Sequence, residues 1–134
     1  MEQKTKQFRK RNAILTCLQC THLHPSAEML HEMLIAEHPD ISLATVYRNL
    51  ALFKQQGLIQ SLGTVDGIER FDANTAPHVH FICSRCSAII DLPQVKVPQQ
   101  LQSTVEDATG GTVSECQLTF TGVCQNCCQN EKTA

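Results

Sequence analysis

The sequence predicts an α+β chain of two lobes, with three helices and a β-hairpin in front and a smaller mixed α/β lobe behind. Three observations carry this reading. Apolar residues recur at steps of three and four through three successive segments before Gly57. Two short alternating runs then flank Asp66-Gly67, a strong hairpin signal because both residues tolerate positive φ. Beyond a short polar connection, Cys83-x-x-Cys86 and Cys124-x-x-Cys127 bracket what remains.

The first helix is expected over residues 8–20, with Ile14, Leu15 and Leu18 inward, ending before the turn-forming stretch Thr21 to Pro25. Ser26 is a good N-cap for a second helix, which carries Met29, Leu30, Met33 and Leu34 on one stripe and breaks at His38-Pro39. A third is expected over residues 42–56, with Leu43, Val46, Leu50 and Phe53 inward and Gly57 as its stop. Strands over 58–62 and 68–72 complete a winged helix-turn-helix. In that architecture the third helix enters the major groove, which points Thr45, Arg48 and Asn49 at base edges and places Tyr47 near phosphates.

Residues 73–77 contain Pro77 and form the expected hinge between a DNA-binding lobe, 1–72, and a second lobe, 78–134. Strands are expected over 79–82 and 88–92, a helix over 98–108 and strands over 112–123, with a break at Gly110-Gly111. Such a lobe has a small core, and bound metal offsets that deficit.

Composition bounds the function. The 134 residues hold eight cysteines, and Met1 to Arg11 is polar and basic rather than a signal peptide. No apolar run approaches the roughly 18 residues that a membrane span needs. A cytosolic chain is expected, and in a reducing compartment eight cysteines point to metal or redox chemistry rather than a disulfide framework. Net charge is −2, yet residues 1–60 hold seven Lys/Arg against five Asp/Glu and residues 61–134 hold four against eight. The front lobe is therefore the candidate DNA surface, with Lys4, Lys6, Arg9, Lys10 and Arg11 its one dense basic run.

Two Cys-x-x-Cys turns complete the closed tetrahedral sulfur site that structural zinc favours, so Cys83, Cys86, Cys124 and Cys127 are expected to hold Zn(2+). His78 and His80 alternate on a strand, so both imidazoles face one side, and Asp72 and Asp91 lie near them in sequence or in the adjacent strand. Mixed imidazole and carboxylate ligation suits Fe(II) or Mn(II) better than it suits a structural ion.

His24-Pro25-Ser26-Ala27, Ser42-Leu43-Ala44-Thr45-Val46-Tyr47-Arg48-Asn49-Leu50, Arg70-Phe71-Asp72 and His78-Val79-His80-Phe81-Ile82-Cys83 stand in an order that resembles the ferric uptake regulator (Fur) family over nearly the whole chain. The likeness is strongest to its peroxide-responsive repressor branch, since iron-sensing members commonly carry Glu where this chain has Asp72 and Asp91. The resemblance implies a regulatory Fe(2+) or Mn(2+) site at His24, Asp72, His78, His80 and Asp91, with His24 contributed by the DNA-binding lobe. It also implies a homodimer on a symmetric operator, in which metal strengthens DNA binding. Hydrogen peroxide then acts through Fe(II) to oxidise His24 or His78 and lift repression, while Mn(II) resists peroxide. The ligands of a further iron-sensor site are replaced by Pro77, Val79, Pro98 and Cys116.

Phe8-Arg9-Lys10-Arg11 replaces the family's usual beginning. Cys17-x-x-Cys20, Cys116 and Cys128 lie outside its metal pattern, with Cys17 expected in the core and Cys128 a competitor of Cys127. The alternatives are a metal-uptake regulator that responds to Fe(II) or Zn(II) and a small non-haem metalloenzyme. An enzyme needs a substrate pocket, whereas most of this chain is committed to a winged helix and a stapled lobe, so no catalytic residues are expected. A thiol oxidoreductase fits less well, because neither cysteine pair opens the helix of a βαβ unit.

Overall fold

The computed structural model describes residues 2–132. The ranges 1–72 and 78–134 expected for the two lobes reach residues 1, 133 and 134, which lie outside the described residues. Two compact units divide between Thr75 and Ala76.

In the first unit, helix α1 spans Glu2–Gln19, α2 Ala27–Ile35 and α3 Leu43–Gln55, and strands β1 (Gln60–Val65) and β2 (Ile68–Asp72) form an antiparallel hairpin. Helix α1 begins six residues before the apolar period does. Glu2 to Gln7 are good helix formers without an apolar stripe, so periodicity alone passes over them. Ser26 Oγ accepts from Met29 N at 3.2 Å and Ser42 Oγ from Thr45 N at 3.1 Å, which caps α2 and α3. The hairpin turns at Asp66 (φ 54°) and Gly67 (φ 79°), the double positive φ of a type I′ turn.

Ile14, Leu18, Leu30, Leu34, Ile41, Val46, Leu50, Phe53, Ile59 and Phe71 form one buried cluster from all three helices and the hairpin. Met33, expected on the inward stripe, is instead 40% exposed, because Leu30 and Leu34 take the positions that face α1 and α3.

The second unit is built on a three-stranded sheet of order β4-β3-β5, with β3 (Val79–Cys83) central, β4 (Ile89–Leu92) antiparallel to it and β5 (Thr119–Gly122) parallel. Helix α4 spans Gln99–Thr109 and ends on Gly110 at φ 72°, a left-handed cap. Residues 112–118, expected as strand, have no regular structure, since pairing on that edge of β3 begins only at Thr119. The alternation of Val113 and Leu118 with polar neighbours was too sparse to distinguish an exposed extended segment from a paired one. Helix α5, Gln125–Lys132, was not anticipated; its sequence has almost no apolar period. Buried apolar groups are few here, chiefly Val79, Cys83, Ile89 and Cys124, so the thiols are half of the core. Among the described residues no helix is long and apolar enough to cross a membrane.

Candidate metal centres and nucleic-acid interface

Strand β3 ends at Cys83, and the chain reverses through a knuckle closed by Ser87 N to Cys83 O at 3.0 Å and Cys83 N to Ala88 O at 2.9 Å. This turn brings Cys86 back beside Cys83. The start of α5 presents Cys124 and Cys127, and all four sulfurs lie within 4.8 Å of one another. Cys83 and Cys127 are 3.7 Å apart, as are Cys86 and Cys124. A tetrahedral ion with bonds of about 2.3 Å needs sulfurs about 3.8 Å apart, whereas a disulfide needs about 2.05 Å. The set has the dimensions of a zinc cage.

Backbone N–H groups of Arg85, Cys86 and Cys124 each point at Cys83 Sγ at 3.4 Å. Those of Cys86 and Cys124 do most to pull the Cys83 thiol down to about 6. Cys127 is pushed up to about 12, chiefly by its neighbour Cys124 and by burial. One thiolate is thus favoured by amides, whereas a thiol raised by its neighbours gives up its proton only to a bound cation. Cys128 is exposed and its thiol donates to Val123 O at 3.5 Å, outside the cluster.

The oxygen and nitrogen donors appear in both units. In the first, His24 and Asp72 are 3% and 5% exposed, with Nδ1 to Oδ1 at 3.5 Å. In the second, His80 and Asp91 are directly paired across β3 and β4, and His78 precedes on the same side. Nε2 of His78 and Nε2 of His80 both lie 3.1 Å from Asp91 Oδ1, with the rings 4.2 Å apart. His78 Nδ1 is 2.6 Å from Ala76 O, which only accepts, so Nδ1 carries that ring's proton in the neutral form. Its Nε2 lone pair then faces a carboxylate oxygen. A lone pair aimed at an anion calls for a cation between them, and a backbone carbonyl that fixes the ring tautomer is the usual support of a metal-binding histidine.

His24 itself holds a left-handed backbone, φ 50°, which a side chain rarely adopts without outside support. The support is Arg70. Its guanidinium is buried, Nε donates to His24 O, and Nη2 donates to Leu23 O at 2.7 Å. Phe71 N donates to Pro25 O at 3.1 Å, so strand β2 grips this loop on both sides of His24. The sequence marked Arg70 only as part of a motif; no local pattern reveals that an arginine will bond a loop 46 residues away.

On the other face of the first unit, Lys4, Lys10 and Arg11 of α1 line one groove with Thr45, Arg48 and Asn49 of α3, a cavity of about 470 Å³. The basic run and the expected reading helix therefore share a surface, although Arg9 turns away from it. Arg48 Nη2 donates to Thr45 Oγ1 at 3.1 Å, and Asn49 Nδ2 to Thr45 O at 2.8 Å. The Tyr47 ring is half exposed and its hydroxyl donates to the carboxylate of Glu28. This bond holds Glu28 below its usual range and Tyr47 above its own. Glu28 was not picked out by the sequence, since a lone acid in a first helical turn reads as a dipole partner.

The Ferric uptake regulator family matches residues 2–121. The chain belongs to this family. It is 38% identical over 120 residues to the peroxide-responsive repressor PerR of Staphylococcus epidermidis, covering 88% of this chain and 78% of that protein. The crystal structure of the Campylobacter jejuni peroxide stress regulator superposes with a TM-score of 0.78 at 28% identity, covering 94% of each chain. The ferric uptake regulator of Francisella tularensis with iron gives 0.74 at 26% identity, covering 88% of this chain and 90% of that one. As a Fur-family protein the chain is a metal-responsive, DNA-binding transcription regulator. The α+β architecture with a winged helix and a four-cysteine cluster agrees with that placement.

Proposed function

We propose that the chain is a homodimeric repressor that binds a palindromic operator and releases it on exposure to hydrogen peroxide. In this reading Cys83, Cys86, Cys124 and Cys127 hold structural zinc, and His24, Asp72, His78, His80 and Asp91 are the ligands of a regulatory Fe(II) or Mn(II). The observation that carries it is the convergence of His78 and His80 Nε2 on one oxygen of Asp91, at 3.1 Å each. Two imidazoles and carboxylates suit a labile divalent ion of intermediate softness, whereas the four thiols take zinc. Thr45, Tyr47, Arg48 and Asn49 are the operator-facing residues, with the basic residues of α1 beside them on the phosphates. Self-association is supported by apolar surface left outside the second unit, where Leu101 and Val105 of α4 are each 42% exposed and Phe120 of β5 48%.

Fe(II) held by these residues would supply the electron that peroxide chemistry requires, and Mn(II) would not. The protein's part is to offer oxidisable imidazoles in fixed positions. Oxygen addition to His24 or His78 removes a nitrogen donor, weakens ion binding and so weakens DNA binding, because the two are coupled ligands. A coupling of about 1–3 kcal/mol changes operator affinity roughly 5- to 150-fold. Asp at both 72 and 91, and the likeness to peroxide regulators, support this reading over a sensor of metal supply.

The deciding experiment is anaerobic operator binding by zinc-loaded protein carrying Fe(II) or Mn(II), challenged with sub-stoichiometric hydrogen peroxide and followed by peptide mass spectrometry. Release of DNA by the Fe(II) form alone, with one oxygen added at His24 or His78, is the expected result. If both forms keep the DNA and no ligand is oxidised, the protein reports metal supply instead.

A further inference from the structure

Helix α1 carries a second stripe besides the one it buries. Ile14 and Leu18 go into the core, whereas Lys4, Gln7, Phe8 and Arg11, spaced i, i+3, i+4 and i+7, line the groove shared with α3. From α3 come Thr45, Arg48, Asn49 and Leu52 at the same spacing. The two stripes are tied together at Arg11, whose Nη2 donates to Gln56 Oε1 at 3.0 Å just past the end of α3 and whose guanidinium lies 5.7 Å from the centre of the Phe53 ring. Phe8 stands one turn before Arg11 and is 63% exposed, the most of any large apolar side chain among the described residues. Packing within the fold does not account for a phenyl ring placed there, among cations and beside the expected reading helix.

Given the operator face proposed above, on which this inference rests, we propose that Phe8 is a specificity-determining residue that makes apolar contact with the C5-methyl group of a thymine in the major groove. Phosphates and most base edges offer a phenyl ring nothing, because it neither donates nor accepts a conventional hydrogen bond. The thymine methyl is the apolar group that the major groove presents, and phenylalanine is among the side chains that suit it. Lys4, Arg11 and Arg48 in the same groove match the phosphates on either side, so charge complementarity brings the duplex to this face without carrying sequence information. Phe8 adds such information from outside the recognition helix. One methyl group taken out of water is worth about fourfold in affinity.

The test uses zinc-loaded full-length protein with Mn(II) and a duplex that the parent protein selects from random sequence. Each thymine in turn is replaced by deoxyuridine, which removes the C5-methyl and leaves the hydrogen-bonding groups unchanged. At one thymine of each half-site the parent is expected to lose about fourfold in affinity, while Phe8→Ala binds the thymine and deoxyuridine duplexes alike there. Phe8→Leu keeps part of the difference, and Phe8→Ala keeps the salt dependence of the parent, because no phosphate contact is lost. If Phe8→Ala shows the parent's loss at every thymine, whether or not its overall affinity falls, the assignment is overturned. Arg48→Ala separates this result from the operator face itself. If that variant binds the selected duplex as the parent does, α3 is not the reader and the assignment of Phe8 falls with it; if it loses the duplex while no thymine depends on Phe8, only Phe8 is misassigned.

Discussion

Replacing Arg70 with Met keeps the apolar stem and removes the guanidinium that holds the loop of His24. Two hydrogen bonds from a charged donor to the carbonyls of His24 and Leu23 are lost, at about 1.5 kcal/mol each at the low end for such bonds. Relief of the burial that lowers the Arg70 pKa offsets part of this loss, leaving a net destabilisation of about 2 kcal/mol. Tyr47 is the sole tyrosine and the chain has no tryptophan, so intrinsic fluorescence reports the first unit alone. With a urea slope of about 2 kcal/mol/M, the fluorescence midpoint falls by about 1 M. A second readout separates positioning from bulk stability. His24 relaxes from its left-handed backbone, φ 50°, and restoring it on Mn(II) binding costs about 1 kcal/mol, a roughly fivefold loss of affinity measured in native buffer. Arg70→Lys, which can make one of the two bonds, lies between. An unchanged midpoint together with unchanged Mn(II) affinity refutes the reasoning.

Cys83→Ser removes the thiol on which three amide donors converge, so zinc is lost on desalting and the second unit loses its ordered amide-exchange protection while Tyr47 fluorescence stays native. His24→Ala abolishes metal-dependent operator binding and spares zinc; metal activation retained in that variant sinks the ligand assignment. Glu28→Gln weakens the bond that engages the Tyr47 hydroxyl and removes a negative charge beside it, so operator affinity rises a few-fold, and an electrophoretic titration at fixed salt checks the sign. Alkylation of Cys17, whose thiol is raised by burial, lags that of the exposed Cys116 at pH 8, and the gap narrows as the pH climbs, as a mass-resolved time course will show.

Legibility differed with the range of the interaction. Ser26, Ser42, Asp66-Gly67 and Gly110 were readable because caps and turns are decided within four residues. The core of the first unit was readable because three helices each bury a stripe at regular spacing. Helix α5 was hidden, because it is organised by Cys124 and Cys127 rather than by an apolar face. Met33 was misassigned to the core by a stripe wider than the surface α2 has to cover. The Arg70 and Glu28 contacts reach 46 and 19 residues along the chain, and nothing local specifies them.

Strand β3 carries His80 near its start and Cys83 at its end, and its pairing with β4 sets His80 opposite Asp91. Two residues of extended backbone, Phe81 and Ile82, separate the imidazole of His80 from the first thiol of the cage. On the proposed assignments, loss of zinc would loosen the end of the same strand whose pairing sets His80 opposite Asp91, so damage to one site would be felt at the other.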